Sequence, residues 1–548
     1  MTGFEYAPAP VEDGIAARYA DHGYQTAVRL GALLRRNGVE FGARPAVFDG
    51  EVVLTWRELV EAASRFAGFL AASGVGPGDV VTWQLPNWWE TLVVAHGIWA
   101  AGAISNPIVP IYRERELRAV VAAVRPACVV TAANFRGQRH VDLLAAACAA
   151  EGWQPKVRVV LRGDTVGWTA FEDTQQARAA ILDGVDPDAP AMIGFTSGTT
   201  SGAKGVVHST RSFVASPLRS CRWMGTNWRD RTYMPAPVAH ATGVLSAIAI
   251  PLFSGASVVL RDRWDAEQAL DDIARYGVTL SAGAAVFIQE LLDALDTRGQ
   301  DRLDLASGYP CGGSTIPSSL ARAADARGMA PARSFGMTEC PSVTGSSPRL
   351  DPPEIRLHTD GWVAPGCEVR VVNAADGKTH DLPPGEEGEF WIRGPQQALG
   401  YIDPAHTAEG FDPHGWFRTG DIGILTEHDL GGGQTRPSAT VTGRLKDIIN
   451  RGGEKLSSRE IEEALLGAPG VVEAAVVPAP HPRLGEQPAA FVLFRPGHAV
   501  PFDQLAAFLR STGMAPQKIP HIWREAKELP RTASGKVKKY ELQAELPQ

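Results

Sequence analysis

The sequence predicts an α/β protein carrying a second, smaller α+β domain, and three observations predict it. Helix-like and strand-like segments alternate from about Tyr24 to Leu430. The character changes after the glycine run in "EHDLGGGQTRPSATVTGRLKD". At 548 residues, 44% of them hydrophobic and 21% charged, the chain is globular and too long for one hydrophobic core.

In chain order, "TWRELVEAASRFAGFLAASGVGPGDVVTWQLPN" reads as a helix with apolar residues at three-and-four spacing, a glycine stop and a short strand. The most apolar stretch, "TLVVAHGIWAAGAI", is interrupted by His96 and glycines and falls short of the ~20 apolar residues a spanning helix needs. No membrane span is predicted. "DAEQALDDIARYGVTLSAGAA" repeats the helix-then-strand plan, with Asp265 as N-cap and "VTLSAG" as strand, and such alternation argues for largely parallel sheets. No repeat of fixed period and no low-complexity tract interrupts it. Beyond the glycine run, Ser457 and Glu460 in "SSREIEEALL" stand at capping-box spacing, with Ile461 and Leu465 on one face. "VVEAAVVPAP" and "AAFVLF" are strand-like and "PFDQLAAFLR" is helix-like, so the last ~100 residues suit a small α+β domain. A boundary is expected between Thr442 and Asp447.

Charge narrows the function classes. With 53 basic and 61 acidic residues the formal net charge is -8, which supplies no general field for nucleic acid or an anionic membrane. Any anion must be held by a local site. Cys128, Cys148, Cys221, Cys311, Cys340 and Cys367 show no CxxC pair and no metal-ligand spacing, and read as reduced, mostly buried thiols of a cytoplasmic protein. The opening "MTGFEYAPAPVEDG" is acidic and proline-rich, unlike a signal peptide.

Chemistry enters with "IGFTSGTTSGAKGVVHS", which holds six hydroxyl side chains, four glycines and one lysine. Small residues let backbone N–H groups converge on an anion while a lysine adds charge, so such a loop suits a phosphate. It is not the P-loop of nucleotide hydrolases: Gly198 and Gly202 are separated by three residues rather than four, and Lys204 follows Ala203. Taken alone, a loop of this composition reads first as a solvated Ser/Gly linker.

The company it keeps decides between these. "FTSGTTSGAKGVVHS" resembles the phosphate-binding signature of the AMP-forming acyl-CoA synthetases, adenylation domains and luciferases. Further signatures follow in order: "PVAHATG" is similar to the acyl-pocket segment, "CGGSTIP" to the adenine-contacting turn, "SFGMTEC" to the Thr-Glu motif, "GWFRTGDIG" to the ribose-binding segment, "GRLKDIINRGGEKLSSREIE" to the hinge and "PRTASGKVKK" to the terminal lysine motif. The matches run from about residue 45 to about residue 540. The resemblance implies a large N-terminal domain of stacked mixed sheets with helices over residues 1–443, a hinge at 444–446, and a small mobile α+β domain over 447–548.

It also implies a two-step reaction. A carboxylate attacks the α-phosphate of ATP to give an acyl-adenylate and pyrophosphate, and a thiol then displaces AMP. The first step brings two anions together and needs positive charge and positioned donors. By the resemblance, Lys536 supplies that charge. Thr196, Ser197, Gly198, Thr199, Thr200, Gly202 and Lys204 hold the β- and γ-phosphates. Glu339 ligates Mg2+, a hard cation suited to one carboxylate plus phosphate oxygens, and Thr338 bonds the α-phosphate. Asp421, set between the glycines of "GDIG", accepts the ribose hydroxyls with help from Arg444. Gly312, Gly313 and Ser314, with Phe335 and Gly336, wall the adenine. Lys446 is the hinge residue, Gly453 lines the channel for the pantetheine of coenzyme A, and Lys455 reaches a phosphate in the second state. His240 gates the substrate carboxylate.

For the acid, "NRGGEKLSSREIE" resembles branches that activate aryl, alicyclic or medium-chain acids, and "NPIVPIYREREL" the medium-chain and cyclohexanecarboxylate ligases. "PAPVAHATG" lacks the asparagine with which 2,3-dihydroxybenzoate ligases bind a ring hydroxyl, leaving an apolar acid as the expectation. CoA is the expected acceptor. A separate carrier protein is the alternative, with oligomerisation left open.

Overall fold

A computed structural model describes residues 5–163, 166–182, 184–196, 204–312, 316–373, 379–452, 454–531 and 537–546. Its central element is a nine-stranded sheet in the order Ala7–Pro8, Gly400–Tyr401, Lys204–Ser209, Pro190–Thr196, Ile104–Pro107, Val80–Gln84, Cys128–Ala132, Val157–Leu161, Thr169–Ala170. The strands from Pro190–Thr196 to Thr169–Ala170 run parallel, and the other three add antiparallel. Every residue of Val80–Gln84 is buried, as expected of a strand covered on both faces. The helix Trp56–Ala72 begins at Thr55 with both halves of a capping box and packs on Trp89–Ala100. That second helix, the most apolar stretch of the chain, is buried on nearly all sides: it is a core helix. No helix among the described residues is long and apolar enough to cross a membrane.

A second sheet, Leu280–Ser281, Arg231–Met234, Ser257–Leu260, Pro45–Asp49, Val52–Thr55, is parallel except for its final hairpin. Asp265 caps the helix Ala266–Tyr276 through the Gln268 N–H, as its sequence predicts. The third sheet departs from the parallel expectation. Its seven strands, from Thr344–Gly345 to Thr435–Arg444, are antiparallel throughout. The glycine run forms the tip of this sheet's longest hairpin, where Gly431, Gly432 and Gly433 all take positive φ. The difference arises because long antiparallel hairpins carry no helix between strands, so the alternation read from Tyr24 to Leu430 does not fix strand direction in its last part.

After Arg444 comes a single 3-10 turn, Leu445–Asp447, and then the small domain. Its sheet orders Glu454–Ser457, Ile448–Arg451, Gly485–Phe494 and Val471–His481, with Ile522–Glu525 also pairing Gly485–Phe494. Helices Ser458–Leu465 and Phe502–Ser511 contribute Ile461, Leu465, Leu505 and Leu509 to a separate core with Ile449, Val476 and Val492. Ser457 is the N-cap of the first of these helices and accepts the Glu460 N–H. All six cysteines are free, and Cys128, Cys148, Cys311 and Cys340 are buried.

Candidate active site

One cavity of about 1780 Å3 lies where the large and small domains meet. Thr196, His240, Gly312, Phe335, Gly336, Thr338, Glu339, Asp421, Arg444 and Lys446, each singled out in the sequence, all line it.

On the phosphate side, Pro190–Thr196 and Lys204–Ser209 pair antiparallel with Thr196 opposite Lys204, so both ends of the intervening loop are fixed. Ser197, Gly198, Thr199, Thr200 and Gly202 lie in that loop, outside the described residues. Lys204 Nζ is 3.1 Å from Glu409 Oε2 and 5.9 Å from the Tyr401 ring centroid.

Thr338 and Glu339 form the tip of a tight turn, because Met337 and Cys340 exchange two backbone hydrogen bonds of 3.2 Å. Two neighbours hold this tip. Tyr401 Oη donates to Glu339 Oε1 at 2.6 Å, and burial followed by the Glu339 charge raises the phenol well above its usual range, so it stays a donor. His208, fully buried, places Nε2 2.7 Å from the Thr338 carbonyl, with Nδ1 3.1 Å from Ser212 Oγ. Burial brings His208 down to about 4, so it is neutral near pH 7, and since a carbonyl only accepts, the proton sits on Nε2. Neither Tyr401 nor His208 was found by sequence reasoning. His208 is the last residue but one of the very stretch that drew attention to the loop, but a histidine in an apolar strand carries no signal of what it will face.

On the nucleoside side, Asp421 and Arg444 stand opposite one another on the hairpin Phe417–Asp429/Thr435–Arg444, with Arg444 Nε 2.7 Å from Asp421 Oδ1. The carboxylate is buried, while the guanidinium side chain keeps 43% of its surface exposed. Its pKa is raised, chiefly by Asp421. Gly312 follows the strand Tyr309–Cys311 and passes so close to Ser334 that an added Cβ would sit 2.7 Å from its Oγ. Gly313 and Ser314 lie outside the described residues. Phe335 is anchored by its N–H to Thr344 Oγ1 at 3.0 Å and packs edge-on against Phe390.

His240 is the N-cap of the short helix Ala241–Gly243, its Nδ1 accepting the Thr242 N–H at 3.4 Å. The chain continues into a π-helical run, Val244–Ala249, a form that widens one helical face and recurs at functional sites. The adjoining cavity wall is largely apolar: Trp223, Met224, Val244, Leu245, Ala284 and Met337.

From the small domain, Lys446 sits in the turn Leu445–Asp447, its pKa lowered first by burial and then by Arg444. Lys455 is exposed on Glu454–Ser457. Gly453 and Lys536 lie outside the described residues, yet Val537, Lys538, Lys539 and Tyr540, which follow Lys536, line the cavity. Among the described residues no group of three or more His, Cys, Asp or Glu side chains is placed to hold a metal ion.

A large and a small α/β domain with a buried acidic turn and a carboxylate–guanidinium pair on one interdomain cavity have the architecture of an adenylate-forming ligase. The family model described as AMP-binding enzyme matches residues 34–402, and that described as AMP-binding enzyme C-terminal domain matches residues 460–536. A medium-chain fatty-acid–CoA ligase of Escherichia coli (strain K12) is 34% identical over 504 residues, covering 90% of this chain and 86% of its own. A salicylyl-CoA synthase / salicylate adenylyltransferase of Streptomyces sp is 32% identical over 562 residues, covering 99% and 98%. Among solved structures, ATP-bound MatB from Rhodopseudomonas palustris superposes with a TM-score of 0.80 at 27% identity, covering 94% of this chain and 98% of that one. The chain belongs to the AMP-binding enzyme family. Its chemistry is that of an AMP-forming acid–thiol ligase, which activates a carboxylate with ATP and passes the acyl group to CoA.

Proposed function

We propose that the carboxylate is an apolar one, of medium-chain, alicyclic or aromatic type, and that CoA rather than a carrier protein is the physiological acceptor. The observation that carries the reading is the shared cavity, in which an apolar wall at Trp223, Met224, Val244 and Leu245 runs into the polar groups around Thr338 and Asp421. A first relative named for medium-chain fatty acids agrees with such a wall. The second relative is named for salicylate, and the lack of an asparagine in residues 235–243 argues against a hydroxybenzoate here.

In this reading residues 1–443 form the adenylate-forming domain, 444–446 the hinge and 447–548 the mobile domain. Thr196, Lys204 and the loop residues Ser197, Gly198, Thr199, Thr200 and Gly202 hold the β- and γ-phosphates. Thr338 bonds the α-phosphate, and its place is fixed by His208 on its carbonyl. Glu339, oriented by Tyr401, holds Mg2+, which neutralises charge on the phosphate oxygens. Asp421 accepts the ribose hydroxyls, and Gly312, Gly313, Ser314, Phe335 and Gly336 enclose the base. His240 presents an imidazole beside the carboxylate of the acid. Lys536 brings positive charge to the α-phosphate as the acid attacks, and rotation at Lys446 then brings Gly453 and Lys455 round for the thiol.

The test is product analysis with Mg2+, ATP and CoA across octanoate, cyclohexanecarboxylate, benzoate and salicylate. AMP, pyrophosphate and a thioester are expected with one of the first three. ADP and phosphate as products overturn the reaction, salicylate as the preferred acid overturns the substrate class, and acylation of a carrier protein with CoA inert overturns the acceptor.

A further inference from the structure

Between the Asp421–Arg444 pair and the C-terminal segment runs a set of charged side chains that the roles above leave unused. The turn Leu445–Asp447 follows Arg444 directly, and its Asp447 Oδ2 faces Lys539 Nζ at 3.9 Å. The same ammonium lies 2.7 Å from Glu462 Oε1 and donates to Ser458 Oγ at 2.9 Å. Ser458 and Glu462 are both on the helix Ser458–Leu465, and Glu462 Oε1 also accepts the Val476 N–H at 2.6 Å, which ties in the strand Val471–His481. Lys539 is the first residue of the helix Lys539–Ala544, three positions after Lys536. Its neighbour Lys538 instead pairs locally with Glu541 at 2.9 Å.

We propose that Lys539 is a positioning residue for adenylation: by holding Asp447, Glu462 and Ser458 at once, it joins the hinge turn, the first helix of the small domain and the segment carrying Lys536 into one body. This rests on the role given to Lys536 above. All of the groups that Lys539 touches lie beyond Lys446 in the chain, so rotation there leaves the contacts intact and carries the terminal segment as a unit. Lysine suits the place, because one compact ammonium with three donors can meet two carboxylates and a hydroxyl that approach from different elements. Burial raises the Glu462 pKa and the Lys539 charge opposes that rise, so the pair is also what keeps an enclosed carboxylate satisfied.

The test uses the full-length enzyme and the panel acid that gives the fastest ATP–pyrophosphate exchange. In Lys539→Met, kcat for exchange should fall on the order of 10^2-fold, the loss expected for a reacting group displaced by ~1 Å, with KM for ATP within about threefold of the parent. Thioester formation from the pre-made acyl-adenylate should persist, and Lys539→Arg should recover most of the exchange. Hydrogen exchange of the peptide 537–546 should rise in Lys539→Met and stay near the parent in Lys539→Arg. Because Lys539→Met strands Glu462 and can unfold the small domain, Lys539→Met/Glu462→Gln is measured alongside: it should fold like the parent and still lose exchange. The proposal is overturned if the folded double variant retains exchange kcat within about threefold, if both half-reactions fall equally, or if the peptide's protection is unchanged. Should the parent enzyme give no exchange with any acid, the assigned function fails instead, and the hydrogen-exchange comparison still decides the role of Lys539.

Discussion

Asp421 and Arg444 face one another across paired strands with their side chains 2.7 Å apart, the carboxylate enclosed and the guanidinium open to the cavity. The arginine meets the carboxylate at Oδ1. An acceptor-only group held this rigidly suits a ribose diol, whose two hydroxyls both donate.

Asp421→Ala therefore removes a hydrogen-bond acceptor of the charged kind, a loss of about 1.5–3 kcal/mol. ATP affinity measured by calorimetry should fall by about tenfold or more. Unchanged affinity in a folded variant would reassign Asp421 to holding the hairpin together.

Tyr401 supports Glu339 rather than substrate. Tyr401→Phe takes away the 2.6 Å hydrogen bond and leaves the ring packing in place. If Glu339 is the Mg2+ ligand, the half-saturating Mg2+ concentration should rise several-fold, while kcat at saturating Mg2+ falls less. An Mg2+ titration superimposable on the parent curve would remove Glu339 from the metal site.

Three histidines make stability depend on acid. Burial lowers His96 to about 3 and His140 and His208 to about 4. Unfolded histidines bind protons below about pH 6.5. Between that pH and the folded values the unfolded chain holds more protons than the native one, so stability rises with pH across this window and is lost on acidification. The melting temperature should drop steadily from about pH 6.5 to 4 and be nearly independent of these groups above it. His96→Leu, which replaces a ring lodged between Trp56 and Trp99 whose buried Nδ1 meets no partner among the described residues, should flatten the slope. An equal slope in that variant would place the acid sensitivity elsewhere.

Domain alternation predicts a crossed pattern. Lys536→Ala should lose acid-dependent exchange by ~10^2–10^3 and still form thioester from a supplied acyl-adenylate. Gly453→Leu should keep exchange and lose the thioester step. The two variants are assayed for both steps after circular dichroism shows each is folded, and equal loss of both steps in both variants would refute the alternation.

Where local chemistry determines local structure, the sequence could be read directly. Asp265 and Ser457, both read as helix starts, cap helices because their side-chain oxygens meet the N–H groups that a helix start leaves unpaired, a rule needing no tertiary information; Thr55 caps another helix by the same rule. The motif residues Thr338, Glu339, Asp421 and Arg444 are legible because their order along the chain is distinctive, and they converge on one cavity from the second half of the large domain. Tyr401, His208 and Lys539 escaped because each acts on a residue far away in sequence: 62 positions for Tyr401 and Glu339, 130 for His208 and Thr338. The antiparallel third sheet agrees with the mixed sheets that the resemblance implies but not with the alternation of segments, since strand direction is set by pairing partners and the local pattern says nothing of them.

The two-residue strand Ala7–Pro8 reaches the site by an indirect route. It closes the edge of the central sheet by pairing Ala7 with Tyr401 and Pro8 with Gly400, so tightly that a Cβ on Gly400 would meet the Ala7 carbonyl at 2.1 Å. Thr407 Oγ1 bridges the same two places, donating to the Ala7 carbonyl at 3.1 Å and accepting the Tyr401 N–H at 3.0 Å. The backbone that aims the Tyr401 phenol at Glu339 is thus braced by residues almost 400 positions upstream. A purification handle fused hard against residue 5, or a trimming of the first ten residues to aid crystal growth, would slacken that brace, and if Glu339 is the Mg2+ ligand the damage would surface as a changed demand for divalent cation in an enzyme whose chemical groups were all intact.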